Sequence, residues 1–220
     1  MDKGFLAALL HSDSALPSGS FAFSWGLEQL YQDEVLGDDP LEDVLAWYLT
    51  GRWAGFDRYF VQRSFVAATQ EERVGVDRYC TAATVSAVVR ETSTRAGRTF
   101  LRPWSRMRFP ATEDFAARVQ DGRADGHLAV VQGLVFRECG MDEASACAVS
   151  GWSSASSLAS AAVRLGKVGA LAAQKALVGT VDVLEDLLRT PVPNAPTSWS
   201  VIHDLAMERH ALRDSRLFAS

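Results

Sequence analysis

The chain is poor in cysteine and has no excess of positive charge. Its 22 lysines and arginines stand against 27 acidic residues, which gives a net charge of −5. Because this balance predicts no basic stripe that would attract a phosphate backbone, we expect no nucleic-acid partner. The three cysteines, Cys80, Cys139 and Cys147, form neither a C-x-x-C pair nor an even set. This usage predicts free thiols in the core of a cytoplasmic protein.

Long hydrophobic runs are also missing. The least polar region, 158–178, is interrupted by Arg164, Lys167 and Lys175, whereas a membrane-spanning helix needs about 20 predominantly apolar residues. The run 1–11 is short, carries one lysine and lacks a convincing cleavage site, so it predicts helical turns and not a signal peptide. We therefore expect no transmembrane segment and no membrane partner.

Strand signals are absent as well. No segment sustains an alternation of apolar and polar residues, and no Asn-Gly or Asp-Gly joins two apolar runs. Apolar residues recur instead at three- and four-residue spacing, and they make up 48% of 220 residues, enough for a substantial core. The sequence thus predicts an all-α fold, with residues 1–220 forming a single globular domain of about eight to ten helices.

Capping residues, glycines and prolines predict the helix boundaries. Asp39 and Pro40 predict the start of a helix that continues to about Thr69 and is loosened by Gly51 and Gly55. A break is predicted at 70–74. The remaining helices are predicted at about 76–101 (ended by Pro103), 115–119, 127–139, 144–189 (two or three helices) and 198–214.

Motifs typical of catalysis are incomplete. Gly166-Lys167-Val168 lacks the upstream glycine and the hydroxyl of a phosphate-binding P-loop. The serine-rich segment 151–155 lacks the second glycine of a nucleophile elbow. An enzyme that used Glu28 or Glu91 as a general base is an alternative, but no second catalytic element accompanies either acid. We expect no enzymatic activity and no bound cofactor.

The four histidines are scattered along the chain. His203 and His210 lie seven residues apart, which is about 10 Å along a helix, too far for the pair alone to chelate one ion. They are predicted to be solvated surface side chains. The sequence therefore predicts no tight metal site.

The most informative segment is 16–28, Leu-Pro-Ser-Gly-Ser-Phe-Ala-Phe-Ser-Trp-Gly-Leu-Glu. Its proline and glycine predict a turn, and Ser18 or Ser20 is a candidate cap for the helix that follows. Phe21, Trp25 and Glu28 recur at helical spacing, which predicts one face carrying two aromatic rings and a buried carboxylate.

This segment resembles the N-terminal signature of the UreF family of urease accessory proteins. Further similar segments follow in the family's order: Arg90-Glu91-Thr92 with Arg98, the stretch 157–177, and a terminal pair formed by Glu208-Arg209-His210 and 215–220. The chain departs from the family pattern at Arg164, where lysine is usual, and at 211–214, where the acid after the histidine is missing.

The resemblance implies a non-enzymatic chaperone component: a helical homodimer that binds UreD (also called UreH) and recruits the GTPase UreG, so that nickel enters apo-urease. It implies that a tail at about 209–220 docks in UreD, and that Glu28, Glu91 and Arg164 face UreG or tune its GTPase cycle. An alternative is a metallochaperone that carries nickel through its own histidines and cysteines. The partner-binding residues implied are Glu28, Arg90, Glu91, Arg164, Arg209, His210, Arg216, Leu217 and Phe218.

Overall fold

The computed structural model describes residues 3–12, 23–36, 40–107, 109–213 and 217–218. These residues form helices and connections without a strand, which confirms the all-α prediction. The helices are α1 (Lys3–Ser12), α2 (Leu27–Gln32), α3 (Leu41–Tyr48), α4 (Arg58–Val66), α5 (Gln70–Ala83), α6 (Ala87–Arg106), α7 (Pro110–Gln120), α8 (Leu128–Glu138), α9 (Glu143–Arg164), α10 (Ala170–Arg189) and α11 (Val201–Ala211).

Helices α3 and α4 are joined by π-helical turns, Leu49–Asp57, into the one long helix that the sequence predicts from residue 41. The two glycines lie in these wider turns. Their carbonyl oxygens accept hydrogen bonds from the connection before α11: Thr197 N–H donates to Gly55 O at 3.0 Å and Trp199 N–H to Gly51 O at 2.7 Å. A Cβ on Gly55 would lie 2.6 Å from the Thr197 carbonyl oxygen. Glycine therefore allows the connection to lie against the helix.

Two predicted boundaries are wrong. Helix α5 begins within the predicted break, because the Thr69 hydroxyl accepts a hydrogen bond from Glu72 N–H at 3.2 Å and the Glu72 carboxylate caps Thr69 in return. The break lies instead at 84–86. Pro103 does not end α6, since Met107 N–H still donates to Pro103 O at 3.2 Å and closes one more turn. The proline falls in the last turn, where it interrupts little of the helix.

The apolar side chains form two core clusters. One surrounds α4, α6 and α8 and includes Phe60, Trp104 and Leu134; the other surrounds α2, α3, α9 and α10 and includes Leu45 and Leu158. Each of these side chains is almost fully buried, and burying one stabilises the fold by about 1.5–3 kcal/mol. The second cluster also contains Phe218, so the end of the chain is part of the core.

The three cysteines are free and buried, as predicted. Burial raises the pKa of Cys139 and of Cys147 to about 11. Burial raises the pKa of Cys80 as well. All three thiols are therefore protonated at neutral pH. They behave as small apolar core residues.

Candidate partner-binding site

The site is built on the start of α2. Trp25 and Gly26 have φ angles of 51° and 85°, both in the left-handed region, and α2 begins only at Leu27. A Cβ on Gly26 would lie 2.9 Å from the carbonyl oxygen of His203, so glycine lets α2 pack closely against α11. The predicted helical face shared by Trp25 and Glu28 is wrong, because two left-handed residues interrupt the helical period. Its third member, Phe21, lies outside the described residues, as do the candidate caps Ser18 and Ser20.

Glu28 binds three groups from the C-terminal part of the chain. Its side chain is buried, as predicted, with 3% exposed. His210 Nε2 lies 2.8 Å from Oε2, Leu217 N–H donates to Oε1 at 3.1 Å, and Phe218 N–H donates to Oε2 at 3.2 Å. One carboxylate therefore joins α2, α11 and the tail.

The hydrogen bonds at Glu28 favour its charged form. Burial alone raises the pKa of a carboxyl group, but the bonds from Leu217, His210 and Phe218 outweigh it and hold the pKa of Glu28 below its usual value. Glu28 is thus ionised at neutral pH and accepts from every neighbour. His210 is fully buried, and within the described residues its second ring nitrogen, Nδ1, has no partner.

The last two described residues have opposite exposures. Phe218 is 5% exposed, and the guanidinium carbon of Arg164 lies 4.3 Å above the centre of its ring. Such cation–π contacts contribute about 0.5–1 kcal/mol at exposed sites. Leu217 is 65% exposed. We call Glu28, His210, Leu217, Phe218 and Arg164 the tail clasp: it anchors one apolar side chain and displays another.

Arg209 supports the clasp from outside. Its Nη1 lies 2.9 Å from the Asp33 carboxylate at the end of α2, and Gln29 Nε2 donates to the same residue at 2.7 Å. The ion pair is a second connection between α2 and α11, and the bond from Gln29 holds its carboxylate in position. Another predicted site residue, Arg216, lies outside the described residues.

Arg90 and Glu91 lie apart from the tail clasp, near the start of α6. Arg90 Nη1 donates to the carbonyl oxygens of Thr84 and Val85, closing the turn before the helix. Glu91 is exposed. The described contacts connect this region to α11 through the hydrogen bond from Ser86 Oγ to Glu208 at 2.5 Å. The structure therefore brings together Glu28, Arg164, His210 and the tail, but not the α6 pair.

The prediction of solvated histidines is wrong. His203 and His210 are both buried. Helix α11 packs against α2 and α6, and the ring of His203 lies 5.4 Å from the ring of Tyr48 on α3. His11 and His127 are buried too. Burial lowers the pKa of His11 and of His203 to about 4, so both are neutral at pH 7.

A largely buried ion pair in the π-helical turns was not predicted from the sequence. Arg52 Nε lies 3.4 Å from the Asp57 carboxylate. Residues five apart lie on different faces of an α-helix but near one another in a π-helix, whose turns close from residue i to i+5. Both line a cavity of about 340 Å³. Burial raises the pKa of Asp57, although Arg52 opposes this rise. The sequence signal that could have revealed this pair is the position of Arg52 and Asp57 beside Gly51 and Gly55.

The described residues contain no group of three or more His, Cys, Asp or Glu side chains arranged to hold a metal ion. Within the described ranges, every helix is too short or too polar to span a bilayer.

Comparison with known sequences identifies the family. The family model described as UreF matches residues 35–180, more than half of the chain. The chain belongs to the UreF family. It is 28% identical to an uncharacterised UreF-like urease accessory protein of Schizosaccharomyces pombe, over 97% of this chain and 96% of that protein. It is 26% identical to the urease accessory protein UreF of Streptococcus salivarius, over 94% and 91% of the two chains. With the UreF protein of Kocuria rhizophila the identity is 30%, over 73% and 70%.

The tail clasp includes a residue from the range that the family model matches. The matched range contains Arg90, Glu91 and Arg164 but ends before α11. Arg164, at the end of α9, is the matched residue that contacts Phe218. In this UreF-family chain, the tail therefore contacts the matched part of the fold through Arg164, a residue that the sequence resemblance also indicates.

Proposed function

We propose that this UreF-family chain is an adaptor in urease maturation, which binds UreD (UreH) and the GTPase UreG, presents them to apo-urease, and catalyses no reaction itself. Family membership and the urease accessory names of the relatives support the pathway. The buried free thiols support a cytoplasmic location. The proposal includes a homodimer, as the sequence resemblance implies.

The observation that carries the proposal is the tail clasp. Displaying Leu217 requires a firm attachment, and Phe218 supplies it in the core while Glu28 holds both backbone amides. An apolar side chain presented on a rigid base is a typical anchor for a protein partner, because little entropy is lost when it binds. The tail, from Arg209 to Ser220, would provide the UreD contact.

The structure requires a correction to the expected role of Glu28. With 3% of the residue exposed, its carboxylate cannot face UreG while the tail covers it. Its role in the proposal is to position the tail. Arg164 and Glu91 are exposed and keep the proposed role of contacting UreG, as charged groups that set the orientation of an interface.

The test uses Leu217→Asp, because this side chain is exposed and its loss leaves the core intact. We expect the variant to lose capture of purified UreD while keeping its unfolding midpoint. Leu171→Asp is the matched control, since Leu171 on α10 is also an exposed leucine, with 86% of its surface accessible, and lies outside the tail. Equal capture of UreD by the Leu217 variant and the wild type would remove the tail from that interface.

A second experiment tests the cellular role. Cells that lack their own UreF-family gene should recover urease activity with the wild-type chain and not with a chain truncated after Asp214. Nickel content distinguishes the carrier alternative. If the purified chain holds nearly one nickel ion per molecule and His210→Ala removes it, the chain carries the metal itself and the adaptor proposal is wrong.

A further inference from the structure

Helix α6 carries a row of arginines that composition alone does not reveal. Arg95, Arg98, Arg102 and Arg106 are all exposed. Their spacing of three, four and four residues places them on one helix face. The row spans about 17 Å at 1.5 Å per residue. We call these four residues the arginine stripe; it corrects the expectation that the chain has no basic stripe.

Three members of the stripe have no acidic partner: among the described residues, no carboxylate lies within ion-pair distance of Arg98, Arg102 or Arg106. Arg98 Nε donates to the Asp125 carbonyl oxygen at 2.9 Å. Like charges at three- and four-residue spacing repel each other. The free chain therefore bears a repulsion that an acidic ligand would relieve.

Two other helices pair their arginines with acidic side chains. On α7, Arg118 pairs with Asp114 at 3.2 Å and with Glu71 at 2.9 Å. On α10, Arg189 pairs with Glu185 and Asp186. The α6 face thus differs from comparable faces of the same molecule, and a general shortage of acidic residues does not explain it, because the chain has a net charge of −5.

The surroundings of the stripe favour a protein partner over a nucleic acid. Exposed apolar side chains lie near both ends of α6: Val85, with 93% exposed, and Met107, with 50% exposed. Arginine and methionine are enriched in protein–protein interfaces, and the guanidinium fork binds carboxylates through paired hydrogen bonds.

We propose that the arginine stripe docks an acidic surface of a partner protein, with the guanidinium groups of Arg98, Arg102 and Arg106 binding its carboxylates. The inference rests on the proposed function in one respect: the partner is sought among UreD, UreG and urease. It concerns a face distinct from the tail clasp, so the two surfaces can be altered separately.

The experiment compares Arg98→Glu/Arg102→Glu with Arg78→Glu/Lys175→Glu, a control with the same charge change at exposed residues outside the stripe. Dissociation constants are measured for purified UreD, UreG and urease at low and at moderate salt. For one of the three proteins, we expect the stripe variant to bind at least about tenfold more weakly and with a smaller salt dependence. The control should stay within about twofold of the wild type for all three proteins. If the stripe variant is not folded, Arg98→Gln/Arg102→Gln replaces it.

The outcomes separate the two proposals. If the wild type binds its partners and the stripe variant binds all of them equally well, the stripe inference is wrong and the adaptor function stands. If the wild type binds none of the three proteins, both fall. A short RNA or DNA duplex retained by the wild type but not by the stripe variant would assign the stripe to phosphate binding and overturn the protein partner.

Discussion

The strongest test of the tail clasp is the substitution Glu28→Gln, which keeps the size of the side chain and removes its charge. The carboxylate accepts hydrogen bonds from His210, Leu217 and Phe218 and a longer one, at 3.5 Å, from Gln32 Nε2. Glutamine has one carbonyl oxygen that accepts and one NH2 group that only donates. Whichever way the amide is turned, its NH2 group faces the backbone N–H of Leu217 or of Phe218, so two donors point at each other.

The expected cost follows from those bonds. A hydrogen bond to a charged group contributes about 1.5–3 kcal/mol, and one between neutral groups about 0.5–1.5 kcal/mol. The variant weakens the bonds it keeps and loses at least one. If the tail detaches, the backbone N–H groups of Leu217 and Phe218 can donate to water, which limits the loss of stability. We expect the free energy of unfolding to fall by about 2–4 kcal/mol.

Two assays measure this effect. Urea unfolding gives the loss of stability, and digestion by a carboxypeptidase reports whether the end of the chain is released from the body. Glu113→Gln, an exposed acid on α7, is the control and should change neither. An unfolding midpoint and a digestion rate equal to those of the wild type would show that Glu28 does not hold the tail.

The pH dependence has a defined sign. The pKa of Glu28 is below its ordinary value of 4.5 in the folded chain. Stability from its ionised form is therefore fully present above pH 4.5 and is lost as the pH falls through the folded pKa. The stability difference between wild type and Glu28→Gln should accordingly shrink below pH 4.5. A difference that grows on acidification would contradict the assigned charge state.

Three further substitutions test the packing of the tail and of α6. Phe218→Ala should lower the free energy of unfolding by about 3–5 kcal/mol, because it empties a buried ring site; a loss below 1 kcal/mol in urea unfolding, on the order of a surface change, would place the ring outside the core. Arg164→Glu should weaken UreG capture and, through its contact with Phe218, weaken UreD binding by about two- to fivefold; unchanged capture of UreG in a pull-down would exclude Arg164 from that surface. Gly97→Ala should cost about 1–3 kcal/mol, since its Cβ would collide with the Gly126 carbonyl oxygen, and an unchanged melting temperature would show that α6 moves aside freely.

Local signals predicted the helices well where a cap and a hydrophobic period agreed. The long helix from Leu41 and the helix from Leu128 were both predicted, because their apolar residues recur at helical spacing. Helix α9 begins where the sequence places a cap, since the Asp142 side chain accepts a hydrogen bond from Ser145 N–H. The sequence fails at Trp25, where two successive left-handed residues have no composition signal beyond a single glycine.

The candidate site divides in the same way. The sequence singled out Glu28, Arg164 and His210, together with Leu217 and Phe218 from the tail, through motif resemblance. It could not show that these residues form one clasp, because Glu28 and Phe218 are 190 residues apart and meet only when α2 packs on α11. For the same reason the histidines were assigned to the surface, although the α11 face that carries them is buried.

The sequence by itself determined the helical class, most helix positions and the family, because these depend on spacing between near neighbours. Tertiary structure alone decided which charges are buried and which are displayed. Glu28 lies inside because the tail folds over it, whereas Arg98, Arg102 and Arg106 of α6 lie outside without acidic partners among the described residues. Burial depends on contacts between distant segments, and that information is absent from any local pattern.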